Sequence, residues 1–192
     1  MNHTTIDATR DWIASTVIGL NLCPFARRVF DAHLIRYFVS EATTEEQLLD
    51  DLRRELTRLQ AVPRSEIETT ILIHPQILAD FFDYNGFLTE ADRLLRRMKL
   101  DGVVQIASFH PRYQFEGTEP DAPENGTNRS PFPMLHLLRE ISVTEVAAHP
   151  EVLLGIPARN IETMRRLASK TTAEFNPGSA GVPPATGPET LH

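Results

Sequence analysis

The chain has 192 residues, a net charge of −7 and an isoelectric point near 5.5. That balance lacks the basic face of a nucleic-acid binder and the polybasic stretch of a membrane-surface anchor, and no apolar run is long enough to span a bilayer. With 41% hydrophobic and 23% charged residues, it reads as one soluble domain large enough to bury a substantial core.

The opening residues MNHTTIDATRDWIAS place Asp7 and Asp11 where a secretory signal would be basic and then apolar. Cys23 is the single cysteine, which excludes an intrachain disulfide, and the cytoplasm is the expected compartment.

Thr4 or Thr5 can cap a first helix with Ile6, Ile13, Val17 and Leu20 on one face and Trp12 beside them. It should stop near Asn21–Cys23, because Pro24 pushes the preceding residue out of helical geometry. Pro24 itself suits the first position of a short helix to about Phe30, which places Cys23 at or next to a helix N-terminus. Leu34–Ser40 is β-branched and aromatic enough for a strand. Thr43 and Thr44 then cap a helix whose stripe of Leu48, Leu49, Leu52, Leu56 and Leu59 ends before Pro63. Thr69–Ile73 is a second strand. A helical region from Ile77 to Met98 follows, which Asn85-Gly86 is expected to break in two. Val103–Phe109 is a third strand.

A long polar loop follows, and Ser130-Pro131 is expected to start a helix carrying Met134, Leu135, Leu137, Leu138 and Ile141. A short helix over Thr144–His149 and a last helix from Pro157 complete the domain, taken as residues 1–170. Residues 171–192, rich in Pro, Gly, Ala and Thr, read as a disordered tail that cannot offset its ordering entropy. Strands alternating with helices predict an α/β fold, a sheet of three or slightly more strands with helices packed on it. A ferredoxin-like α+β arrangement is the alternative. In a parallel sheet, the long loop would leave the edge where such folds place ligands.

Cys23 at a helix start would be favoured as thiolate by unpaired N–H groups, helped by Arg27 and Arg28; its plainer reading is a small buried hydrophobe. His110, His136 and Glu140 form the acid–base set, since His136 and Glu140 lie four residues apart and would share a helix face. Two imidazoles and a carboxylate suit Fe(II) or Zn(II), and Cys23 in place of Glu140 suits zinc or copper. Against this, His136 can be a hydrogen-bonded core histidine and Glu140 a solvated helix residue. Arg112, Asn128, Arg129 and Ser130 group guanidinium forks and capping side chains around a helix start, a pattern that can hold a carboxylate or phosphate. The same residues also serve ordinary turns. No P-loop and no serine-nucleophile elbow is present.

Three separated words, Asn21-Leu22-Cys23-Pro24-Phe25-Ala26, Phe109-His110-Pro111, and Thr127-Asn128-Arg129-Ser130-Pro131 with Met134 to Glu140, resemble a bacterial family, the domain-of-unknown-function family numbered fourteen-fifteen. The likeness spans Ile6 to Lys170 and implies no established activity. It singles out Cys23, His110, Arg129, His136 and Glu140. The family favours Tyr between the two prolines where this chain has Phe132, which removes a phenol from that place.

These readings predict a small enzyme with a Cys/His site, thiol-based or metal-dependent, acting on a small anionic substrate. The alternatives are a non-catalytic module binding an anionic metabolite or partner through Arg112 and Arg129, and an assembly protein using its leucine-rich helices. The oligomeric state is left open.

Overall fold

The leucine stripe after Thr44 forms as its spacing demands. In the computed structural model, which describes residues 2–146 and 150–175, helix α3 (Glu45–Ala61) starts where the Thr44 hydroxyl accepts the Gln47 N–H. Its Leu48, Leu52, Leu56 and Leu59 are fully buried. They pack with Tyr84, Phe87, Ala91 and Leu94 of α4 (Phe81–Arg97) against one face of a sheet. Asp80 caps α4, accepting the Phe82 N–H, and the helix runs through Asn85-Gly86 unbroken. The expected break is absent because Gly86 sits in open space and one glycine costs a long, well-packed helix only about 1 kcal/mol.

The sheet has four strands in the order β1-β2-β4-β3: β1 (Ile35–Val39), β2 (Thr69–Ile73), β3 (Val104–Phe109) and β4 (Met134–Arg139). β1 and β2 are parallel, and β4 inserts antiparallel between β2 and β3. The α/β architecture is as expected, with a mixed sheet in place of the ferredoxin-like alternative; the order β-α-β-α-β-β also differs from that fold.

The largest correction is β4. The segment expected to be a helix from Ser130 is a strand, and helix α5 begins only at Glu140 (Glu140–Val146). A strand flanked on both sides and covered on both faces needs apolar residues throughout, so its period-two signal disappears. His136 and Glu140 are therefore not one helical turn apart. The final helix, α6 (Pro150–Phe175), starts before Pro157 and contains it. The expected short helix overlaps α5, with 147–149 outside the described residues. Of the expected tail, Thr171 to Phe175 continue α6, and residues 176–192 lie outside those described.

The opposite sheet face is covered more thinly. Helix α1 (Asn2–Trp12) continues as a π-helical stretch, Ile13–Ile18, and ends where Asn21 adopts φ +53°. Ile13 packs there with Ile71, Ile73 and Met134, and the Trp12 ring meets Phe109 edge-on at 5.5 Å. Helix α2 (Ala26–Asp31) flanks this layer.

Candidate functional site

Between the sheet and the covering segments lies a cavity of about 340 Å³. Its floor is the outer sheet face, including Ile71, Ala107, Phe109 and Leu138. Its roof is Trp12, Ile13 and Val17 from the π-helical end of α1, with Phe25 and Val29 at the side. A π-helical turn is a common marker of functional sites, and here it sets the roof residues over the sheet. The polar groups on the wall are Cys23, Arg28, Glu68, Thr69, His136, Arg139 and Ser142.

Cys23 is exposed. It lies in the turn before α2, where its carbonyl accepts the Ala26 N–H at 3.2 Å. The turn is held from outside by α6: Asn160 Nδ2 donates to the Leu22 carbonyl at 2.8 Å, and Arg159 donates to that of Asn21 at 3.1 Å. So the thiol is presented by a braced turn rather than buried behind Leu22.

His136 stands mid-strand on β4, opposite Ile71 and Ala107. Its Nε2 lies 2.7 Å from Thr69 Oγ1, which is itself 2.6 Å from the Leu137 carbonyl. A carbonyl oxygen can only accept, so the single hydroxyl proton of Thr69 goes to Leu137. Thr69 must then accept from His136, which fixes the Nε2–H tautomer and leaves Nδ1 as an acceptor with no hydrogen bond among the described residues. Burial pushes the imidazole pKa down to about 4, so the ring is neutral at physiological pH.

At the α5 end of the cavity, Glu68 accepts from Arg64 Nε and one terminal nitrogen, both at 3.0 Å. Those bonds are the main reason its carboxyl pKa is lowered. Arg64 also grips Glu145 through two bonds of 2.8 Å. Arg28 approaches Glu68 only to 3.7 Å. One terminal nitrogen of Arg139 donates to the carbonyls of Leu59, Val62 and Ile67. The Arg139 Nε is buried without a partner among the described residues.

The other sequence candidates sit elsewhere. His110 is fully buried on the α3–α4 side, beside the rings of Phe81 and Tyr84. Its Nε2 donates to the Leu78 carbonyl at 3.1 Å and its Nδ1 accepts the Arg112 N–H at 3.0 Å, so both nitrogens are used. Burial lowers its pKa also. The sheet thus separates His110 from Cys23 and His136. Among the described residues no group of three or more His, Cys, Asp or Glu side chains is assembled as a metal site. Glu140 opens α5, where its N–H donates to the Val103 carbonyl, and it is not part of the cavity wall.

The loop donors are spent on the loop. Arg112 holds the Ala79 carbonyl and Asp80, and Arg129 holds the carbonyls of Tyr113 and Pro120. Asn128 Nδ2 donates to the Ser108 carbonyl at 3.1 Å, and Ser130 Oγ to that of Phe132 at 2.7 Å. Buried Asn125 accepts from Phe115 N–H and Thr118 Oγ1 and donates to Glu119. With β4 a strand, no helix N-terminus stands here to receive an anion. The cavity residues that sequence reasoning missed, Glu68, Thr69, Arg139 and Ser142, carried no spacing signal. Arg139 alone fell inside one of the three words.

The fold and the cavity define a mixed α/β protein with one sheet face closed by helices and the other open to a small, mainly apolar chamber. The family model described as "Protein of unknown function (DUF1415)" matches residues 4–174, and the chain belongs to that family. Comparison with curated proteins and with solved structures finds no match. Among the described residues, no helix is long and apolar enough to cross a membrane.

Proposed function

We propose that the chain is a small enzyme that works through the Cys23 thiol on a small substrate held in the sheet-face cavity. In this reading His136 Nδ1 takes the thiol proton, and the thiolate then adds to a carbonyl carbon of the substrate. The C=O π bond breaks, its electron pair moves to the oxygen, and the imidazolium gives the proton back there. The observation that supports it is one cavity wall carrying both an exposed thiol and a neutral imidazole with its acceptor nitrogen unused. An imidazolium formed there would face the new thiolate, and that pairing offsets the cost of charging a buried ring. The thiol route is preferred to a metal-assisted one because the described residues assemble no three-ligand set. An exposed reactive thiol stays reduced in the cytoplasm, the compartment that goes with this reading.

A non-catalytic protein that holds its ligand in the cavity is the second reading, favoured by the apolar walls; Arg112 and Arg129, the expected ligand-holding groups, are engaged within the loop instead. Alkylation of Cys23 by iodoacetamide separates the two. Under the enzyme reading, native protein at neutral pH reacts faster than the urea-unfolded chain. His136→Gln, verified as folded by its thermal transition, then slows the native rate by about tenfold, a difference of about 1.4 kcal/mol in barrier. Labelling at the unfolded-chain rate and indifference to His136→Gln would leave only the binding reading.

A further inference from the structure

We infer that the substrates of the cavity are uncharged, largely apolar carbonyl compounds about the size of an eight-carbon aldehyde. This rests on the thiol reading above and names the substrate class.

The surface that the chamber leaves open to a ligand carries the inference. Trp12, Val17, Phe25, Ile71, Phe109 and Leu138 present carbon to the space, and almost none of its accessible wall is polar. Each charged side chain on that wall is already matched or turned elsewhere. Both oxygens of Glu68 are held by Arg64 at 3.0 Å. Arg28 stands at the edge, its side chain 67% exposed and 3.7 Å from Glu68. Arg28 and Arg64 together face Glu68 and Glu145, so the α5 end of the cavity is neutral as a group. The Arg139 guanidinium lies on the carbonyls of Leu59, Val62 and Ile67, on the α3 side of the sheet. Its unpartnered Nε, like the Ser142 hydroxyl, has no accessible surface and cannot meet a ligand. An ion entering here would lose its water and find no free group of opposite charge to offset the loss.

One polar contact remains. His136 Nδ1 has no hydrogen bond among the described residues and, unlike those two atoms, is not sealed from the chamber. As an acceptor it opposes a carboxylate. Once it holds the Cys23 proton, it donates to a carbonyl oxygen. A carbonyl group between Cys23 and His136, with an apolar tail along Trp12 and Phe109, therefore matches the whole wall. The volume of about 340 Å³ sets the size: at about 30 Å³ per water-sized group it has room for about ten, close to octanal.

The test uses the full chain and the fluorescence of Trp12, the single tryptophan, which lies in the cavity roof. 1-Octanol, which cannot react with sulfur, is titrated at neutral pH beside octanoate and octylammonium. The inference expects octanol to bind about tenfold tighter than either ion. Ala107→Leu, which adds carbon to the cavity floor, should weaken octanol about tenfold in a variant confirmed as folded by its thermal transition. Octanal labelled with carbon-13 at its carbonyl should then give a saturated-carbon signal on the wild-type protein that is absent from Cys23→Ser, as sulfur bonds to that carbon and the thiol proton passes to its oxygen. Either ion binding as tightly as octanol overturns the uncharged class. Octanol binding unchanged in folded Ala107→Leu overturns its place in the chamber. Octanol binding without the Cys23-dependent octanal signal overturns the carbonyl assignment. Failure of every probe to bind overturns the substrate class, while His136-dependent alkylation of Cys23 still reports on the enzyme reading by itself.

Discussion

The two faces of the sheet use the same strands to opposite ends. On one, Leu72, Leu135 and Leu137 meet the leucines of α3 and the rings of α4, and the side chains are buried almost without remainder. On the other, the roof touches the sheet at Ile13, Ile71, Ile73 and Met134 and leaves a chamber between. The two histidines show the same division. His110 spends both nitrogens on backbone, whereas His136 spends one and keeps the other. A buried histidine is thus no sign of function by itself; its unspent valence, in a wall with space before it, is what separates a candidate group from a fastener.

Substitutions that shorten a side chain should separate the faces most strongly. Leu72→Ala is expected to cost about 3–5 kcal/mol, because the fully buried site cannot collapse, and Leu138→Ala, on the cavity wall, about 1–2 kcal/mol. Urea titration of both variants measures the gap, and equal losses would mean that the chamber is packed in solution.

Acid should next probe the buried imidazoles of both faces. His74 and His136 are each held near a pKa of about 4 by burial, against an ordinary value of 6.5. Their folded pKa values are depressed, so the unfolded chain binds the protons first. Stability is therefore full above pH 6.5 and falls as pH drops toward 4, by an amount on the order of a few kcal/mol. His136→Gln should flatten part of that slope in thermal melts between those limits, and an unchanged slope would show that the ring is already solvated.

The smallest effect is expected at the loop. Arg112→Ala removes its contacts to Ala79 and Asp80 at an exposed position, so the unfolding midpoint should barely move. A loss of ligand binding in that variant would place the ligand at the loop and break the contrast between the faces.

Much of this division was written in the sequence, but unevenly. The α3 stripe and the three parallel-running strands followed from periodicity and capping, whereas the short helix expected from Pro24, with Cys23 at or next to its N-terminus, starts only at Ala26 and leaves Cys23 in the turn before it. β4 was not legible, because Met134-Leu135-His136-Leu137-Leu138 fits a helical stripe as well as a strand covered on both faces. From that one ambiguity came the misplaced helix N-terminus and the supposed pairing of His136 with Glu140. The chamber was hidden for another reason. Its wall gathers residues from α1, the Cys23 turn, α2, all four strands and α5, and no local pattern announces a π-helical turn.

The insertion of β4 bears on how the chain reaches this structure during synthesis. β2 and β3 share no hydrogen bonds with each other; each is completed only by a strand made some sixty and thirty residues later, respectively. Until Arg139 has left the ribosome, the nascent chain carries one parallel pair and a solitary strand, both with unsatisfied edges. Chain elongation at about 5–20 residues per second makes that a wait of seconds, during which the apolar strands are exposed to wrong pairing. Assembly of the sheet is thus a late, single event in the life of each molecule, and chain termination anywhere before β4 should yield insoluble product rather than a smaller fold.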